Sequence, residues 1–362
     1  MPSTQDVASW CSAPRSTVGW REFDPLNKDE LNVLVNGLLD EMETIANRDV
    51  VADIVNTALR LATDDASRLD LKITSTALRE MRAAFRAFAP YRDRKKVTMF
   101  GSARTKTDDP LYEQAREMAR ELSSNGWMVV TGAGPGIMAA GLEGAGIESA
   151  FGVNIRLPFE QGANAFIAKD PKLVEMKYFF TRKLILIKES NAYVCLPGGF
   201  GTLDETFELF TLLQTGKAEP APVILLDSVG GTYWREWERF LDEQVASVGL
   251  ITPGDSAFWL RTDSVPDATQ EILGFYANYH SLRYVGRELV LRMRHLPSDA
   301  QLADLNHDFA DMLQDGEIRV VEPGRSEKAD NDALDLQRLS LHFDKMSYHR
   351  LRELINALNA LA

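Results

Sequence analysis

The chain has 362 residues, 45% of them apolar, and a net charge of −13 with no long basic block. That length suits one large α/β domain with an appendage, or two domains. The acidic balance excludes nucleic acid or an anionic membrane as the main partner, although a few N–H groups and one arginine suffice to bind a phosphate locally.

Residues 1–27 read as an irregular lead-in. The segment "MPSTQDVASWCSAPRS" has no apolar core of a signal peptide, and nothing approaches 18 continuous apolar residues. Cys11 and Cys195 form no disulfide framework, and the five histidines include no HxxxH pair. A cytoplasmic protein without metal or cofactor is expected. Three helical stripes follow: Leu31, Leu34, Val35, Leu38, Leu39, Met42 and Ile45; then Val50, Val51, Ile54, Val55, Ala58 and Leu59; then Leu78, Met81, Phe85 and Phe88, ending at Pro90. The charged "YRDRKK" (91–96) marks a boundary.

From Val97 short apolar runs alternate with helices. Strands are predicted at 97–100, 127–130, 150–155, 192–196 and 223–227. Helices are predicted at 110–125, near 175–190, at 202–215 and near 234–248, with Asp109-Pro110 capping the first. This grammar predicts an α/β fold, a doubly wound, Rossmann-like parallel sheet with helices on both faces. The tail reads as strand 286–293, helix 299–314, strand 317–322, polar loop 323–334, strand 338–344 and helix 347–361. The expected domains are a helical segment 1–95, a nucleotide-binding catalytic domain 96–279 and a small βαββα domain 280–362.

Three glycine-bearing junctions follow strands: "GSAR" (101–104), "TGAGPGIM" (131–138) and "PGGFGT" (197–202). Gly132, Gly134 and Gly136 break the dinucleotide spacing, and the next strand ends at Asn154 rather than an acid. No GK[ST] is present, so NAD and ATP drop out. A helix starting near Thr202 offers unpaired N–H groups and a dipole suited to a phosphate. Thr202 and Glu205 have two readings: a capping box, or a loop left open for a ligand with Glu205 acting on it. Arg182 lies on a helix that is apolar nearly all round, so its buried guanidinium needs an anion, either a structural carboxylate or a ligand's phosphate. Lys183 reads as a solvated or snorkelling neighbour.

The stretch "MKYFFTRKLILIKESNAYVCLPGGFGTLDETFELFTLLQTGK" (176–217) resembles the Lonely Guy family, often mislabelled as lysine decarboxylases, whose signature is PGGxGTxxE preceded by an Arg-Lys pair. "FGSART", "VVTGAGPGIMAAGLEGA" and "LPFEQGANAFI" match further family segments, and the likeness spans about 97–275. It implies hydrolysis of nucleoside 5′-monophosphates (AMP, or cytokinin riboside monophosphates) to free base and ribose 5-phosphate. It makes Arg182 and Glu205 catalytic. Phosphate binding falls to Gly198, Gly199, Gly201 and Thr202, with further substrate contacts from Gly101, Ser102, Gly134, Gly136 and Met138. A homo-oligomer is implied, dimer or larger. A non-catalytic carrier of a phosphorylated ligand, such as molybdenum cofactor, is the rival reading. A pyridoxal-phosphate decarboxylase is a poor third, with no Schiff-base site evident.

Overall fold

A computed structural model describes residues 28–42, 46–157 and 162–361. The predicted lead-in with Cys11, Ile45 of the first stripe and residues 158–161 lie outside them. The chain divides into two units, 1–75 and 76–362.

In the first unit, α1 (Lys28–Asp40) and α2 (Arg48–Thr63) bury Val35, Leu39 and Ala52 against each other. Arg48 ties them by donating to the Asn36 carbonyl and to Asp40. Leu34, Leu38, Met42, Val50 and Ile54 of the predicted stripes are exposed. A pair of short helices can cover only the strip along their line of contact, so half of each apolar face stays uncovered.

The second unit begins within α3 (Arg68–Phe88) and carries two sheets. The larger contains β1 (Lys96–Phe100), β2 (Met128–Thr131), β3 (Ala150–Ile155), β4 (Leu173–Met176), β5 (Ala192–Cys195), β6 (Val223–Leu226) and β7 (Trp259–Thr262). Their order is β4-β3-β2-β1-β5-β6-β7, with every neighbouring pair parallel. The connecting helices are α4 (Pro110–Ser124), α5 (Ile137–Ala145), α6 (Phe179–Lys188), α7 (Phe200–Gln214), α8 (Tyr233–Phe240) and α9 (Val265–Phe275). Alternation along the strands divides the core. Val97 and Met99 face α4, α5 and α9, whereas Phe100, Phe151, Val153 and Cys195 face α6, α7, α8 and the end of α3. Phe88 of α3 stacks on Phe151 with ring centroids 3.7 Å apart.

The doubly wound parallel sheet predicted from the sequence is therefore present, with two strands added. β4 falls at the front of the predicted helix 175–190, and β7 with α9 fills a stretch left unassigned. Both strands are sheet edges, covered less completely than the centre, so their apolar signal is weak and mixed. Asp109 caps α4 as read, accepting from the Leu111 N–H at 2.9 Å.

The tail holds a four-stranded antiparallel sheet, ordered β10-β11-β9-β8. Its elements are β8 (Tyr279–Val285), β9 (Glu288–Met293), α10 (Asp299–Asp308), β10 (Leu313–Val320), α11 (Arg325–Asp330), β11 (Gln337–Phe343) and α12 (Tyr348–Ala360). The first predicted strand is thus the second arm of a hairpin, turned at Gly286 with φ of 64°. The polar loop contains a helix, because Arg292 and Arg338 donate to the buried Glu327 and hold that segment down. Asn359 of α12 accepts from the Asn278 and Tyr279 N–H groups and donates to the Phe275 carbonyl, closing the tail onto α9.

Candidate active site

The order β4-β3-β2-β1-β5-β6-β7 reverses direction between β1 and β5. At such a switch point the connections leave on opposite faces and open a crevice beyond the carboxyl ends of the strands. "GSAR" follows β1 and "PGGFG" follows β5, so the two loops face each other there; the Ser102 N–H donates to the Pro197 carbonyl at 3.2 Å. The crevice is a cleft of about 770 Å³ whose lining includes Gly101, Ser102, Met138, Arg182, Gly199, Gly201, Thr202 and Glu205.

α7 begins at Phe200 with Gly199 as its N-cap, two residues before the predicted start. Thr202 is then the third helical residue and Glu205 the sixth, so the spacing that reads as a capping box is not one. No side chain caps this helix end, and its first N–H groups have no acceptor within the helix. Gly199 and Gly201 border open space, with nothing within 4 Å of a Cβ at either position. Backbone donors at the positive end of a helix dipole beside an open cleft form a setting for an anion.

Glu205 turns instead to Arg182. Arg182 Nη1 lies 3.1 Å from Glu205 Oε1, both side chains nearly buried, and Arg182 Nε donates to the Val153 carbonyl at 2.9 Å. The guanidinium crosses directly over Gly132, where an added Cβ would lie 1.9 Å from Nη2. Burial raises the Glu205 pKa above the ordinary carboxylate range, and Asp204 and Glu208 add to the rise. Arg182 and Lys183 pull the other way without reversing it.

Lys183, expected as a solvated or snorkelling neighbour, has a largely buried side chain and a paired ammonium. Its ammonium bridges Asp204 at 2.7 Å and Glu208 at 2.6 Å, side chains one turn apart on α7. Burial opposes the charge on Lys183, but those two carboxylates outweigh it and raise its pKa. The Arg-Lys pair thus locks α6 to α7 through two different sets of carboxylates.

Of the glycines read as substrate contacts, Gly198, Gly134 and Gly136 are not among the lining residues. Gly198 packs against Thr202 and the Ser102 N–H, and its carbonyl accepts from the Tyr233 hydroxyl at 2.7 Å. Gly134 packs against Met138. Gly136, with φ of 65°, lies against the Ser102 carbonyl and Ala103. Their small size lets the loops approach each other. Sequence reasoning passed over Gly132, Arg104, Phe179 and Phe200, all of which line the cleft. Only the position of Gly132 within a glycine cluster hinted at a close approach. Among the described residues, no cleft-lining side chain comes from 280–362, and no cluster of metal-ligating side chains occurs. No described helix is long and apolar enough to cross a membrane.

The family model described as "Possible lysine decarboxylase" matches residues 131–272, which contain Arg182, Glu205 and the loop between them. Curated cytokinin riboside 5′-monophosphate phosphoribohydrolases also match this chain. Residues 131–272 are thus similar to the Lonely Guy family. The Mycobacterium tuberculosis enzyme of that name is 28% identical over 169 residues, covering 46% of this chain and 87% of its own length. An Arabidopsis thaliana enzyme of that name is 40% identical over 72 residues, 20% of this chain and 32% of its own. The match thus spans about a third of that plant relative. A solved molybdenum cofactor binding protein from Rippkaea orientalis is 17% identical with a TM-score of 0.36, covering 51% of this chain and 98% of that one.

Proposed function

We propose that this protein hydrolyses the N-glycosidic bond of nucleoside 5′-monophosphates, AMP or a cytokinin riboside monophosphate, releasing the free base and ribose 5-phosphate. The observation that carries the reading is the buried Arg182–Glu205 pair standing beside the uncapped start of α7. A phosphate on the N–H groups of residues 199–202 would bring the attached ribose within reach of Glu205, three residues further along the helix.

The chemistry follows from that placement. As the bond between C1′ and the base nitrogen breaks, its electron pair leaves with the base and positive charge builds on the ribose. A carboxylate held in a partly water-excluded cleft stabilises that charge. Glu205 also accepts a proton from the water that adds to C1′, while the departing base takes up a proton. Arg182 orients Glu205 and favours its ionised form against the effect of burial. Phosphate binding far from the breaking bond supplies the orientation.

The proposal extends to cytoplasmic location, to assembly as a homo-oligomer, and to division into the segments 1–95, 96–279 and 280–362. Relatives act on cytokinin riboside monophosphates by name, which motivates that substrate beside AMP. The deciding experiment incubates the protein with AMP, isopentenyladenosine monophosphate and adenosine and follows free base. Base release from the monophosphates and little from adenosine is expected. Tight AMP binding with no base release would overturn hydrolysis in favour of the carrier reading.

A further inference from the structure

The buried face of the second half of α3 runs Ala77, Glu80, Ala84, Phe88. Three of these are the small or apolar residues that such a stripe calls for, and one is a carboxylate only 8% exposed. A buried carboxylate is costly unless donors satisfy it. Glu80 has two, one just ahead of α6 and one in its first turn. Oε1 accepts from the Lys177 N–H at 2.7 Å, and Oε2 accepts from the Thr181 hydroxyl at 2.6 Å. α6 has Tyr178 at its N-cap and no side-chain cap of its own. Glu80 does not accept from the helix's own first N–H groups; it pins the residue before the N-cap and the third helical residue, and its charge suits the positive end of the helix dipole.

The residue after Thr181 is Arg182. We infer that Glu80 is a positioning residue for the cleft: by fixing the first turn of α6 it sets where the Arg182 guanidinium stands against Glu205. The link is short and buried as far as Arg182: Glu80 to the Thr181 hydroxyl, Thr181 to Arg182 by the chain, and Arg182 to the Val153 carbonyl and to the part-buried Glu205. A methyl group at 80 would fill part of the same space but leave the Lys177 N–H and the Thr181 hydroxyl without this carboxylate. This makes α3, which lies outside the segment matched by the family model, part of the device that orients the proposed catalytic pair.

The inference rests on the hydrolase reading for its functional half and on geometry for its structural half, and the test separates them. Glu80→Ala removes both bonds, Thr181→Val removes the hydroxyl with little change of shape, and Thr181→Ser keeps the hydroxyl. Hydrogen–deuterium exchange over 177–188 reads the structural half. In Glu80→Ala and Thr181→Val exchange should quicken there. In Thr181→Ser it should match the parent.

The functional half is read from the pH dependence of kcat/KM for AMP. Glu205 is faced by Arg182 and Lys183 from α6, by Asp204 and Glu208 along α7, and by Cys195 from β5. Loosening Arg182 alone weakens one of the two groups that favour the ionised form. The acid limb should then move to higher pH, with kcat reduced roughly 10-fold or more. A general loss of folded protein would lower the amplitude and leave the limb where it was. Folded Glu80→Ala and Thr181→Val proteins with parental acid limbs would overturn the inference. If the parent protein releases no base from any monophosphate, the hydrolase reading fails, and exchange decides about Glu80: quickened exchange at 177–188 supports it and unchanged exchange overturns it.

Discussion

Gly132→Ala adds one methyl group and tests the geometry of the catalytic pair directly. The Gly132 backbone is not in the left-handed region, so alanine meets no conformational strain and the effect comes from contact alone. The new Cβ would lie 1.9 Å from Arg182 Nη2, 2.7 Å from Met138 Sδ and 3.1 Å from Arg182 Cζ. Ordinary contact needs about 3.5 Å, so the guanidinium must retreat by roughly 1.5 Å. The 3.1 Å bond to Glu205 Oε1 cannot survive a displacement of that size. A misplacement of that order costs about 10²-fold in rate, or about 2.7 kcal/mol of transition-state stabilisation. Overpacking adds a stability cost of about 1–3 kcal/mol. Adenine release gives kcat/KM, thermal unfolding gives the stability change, and circular dichroism confirms the fold. A folded Gly132→Ala protein with parental kcat/KM would show that the position of the guanidinium is not what the cleft depends on.

Glu205→Gln should lower turnover by about 10²–10⁴-fold while AMP affinity, measured calorimetrically, stays near parental, because the α7 donors remain. Since burial raises the Glu205 pKa, the parental rate should begin to fall at a pH above the usual carboxylate range as Glu205 takes up its proton. The same sign governs stability: the folded state binds this proton more tightly than the unfolded chain. Its stabilising contribution is therefore full below the unfolded pKa and lost as pH rises through the folded value, a slope absent from Glu205→Gln in thermal scans across pH. Gly201→Ala, in the first turn of α7 with open space at its Cβ, should stabilise the helix by about 0.5–1 kcal/mol yet raise the KM for AMP; an unchanged KM would take the phosphate off this loop. Asn359→Ala removes three buried-end hydrogen bonds and should cost about 2–4 kcal/mol in urea titrations, with KM for AMP unchanged. A rise in KM there would bring the tail into the site.

The central strands, their helices and the glycine clusters after them were legible because buried parallel strands are continuously apolar and glycine marks the junctions. So was the pairing of Arg182 with an anion, since a guanidinium on an all-round apolar helix cannot stay unpaired. The edge strands β4 and β7 were not legible, because half-covered strands carry no continuous apolar signal. In the tail, the first arm of the β8–β9 hairpin and the α11 turn depend on partners distant in sequence. Three decisions belonged to tertiary structure alone. The first is the start of α7 at Phe200, which removes Glu205 from a capping box. Gly132 matters because of an arginine fifty residues away. Glu80 reads in sequence as one more charge on a helix, and only the packing of α3 against the start of α6 gives it two donors. Periodicity reports which side of an element is buried; what that side meets depends on elements far along the chain, and no local pattern encodes it.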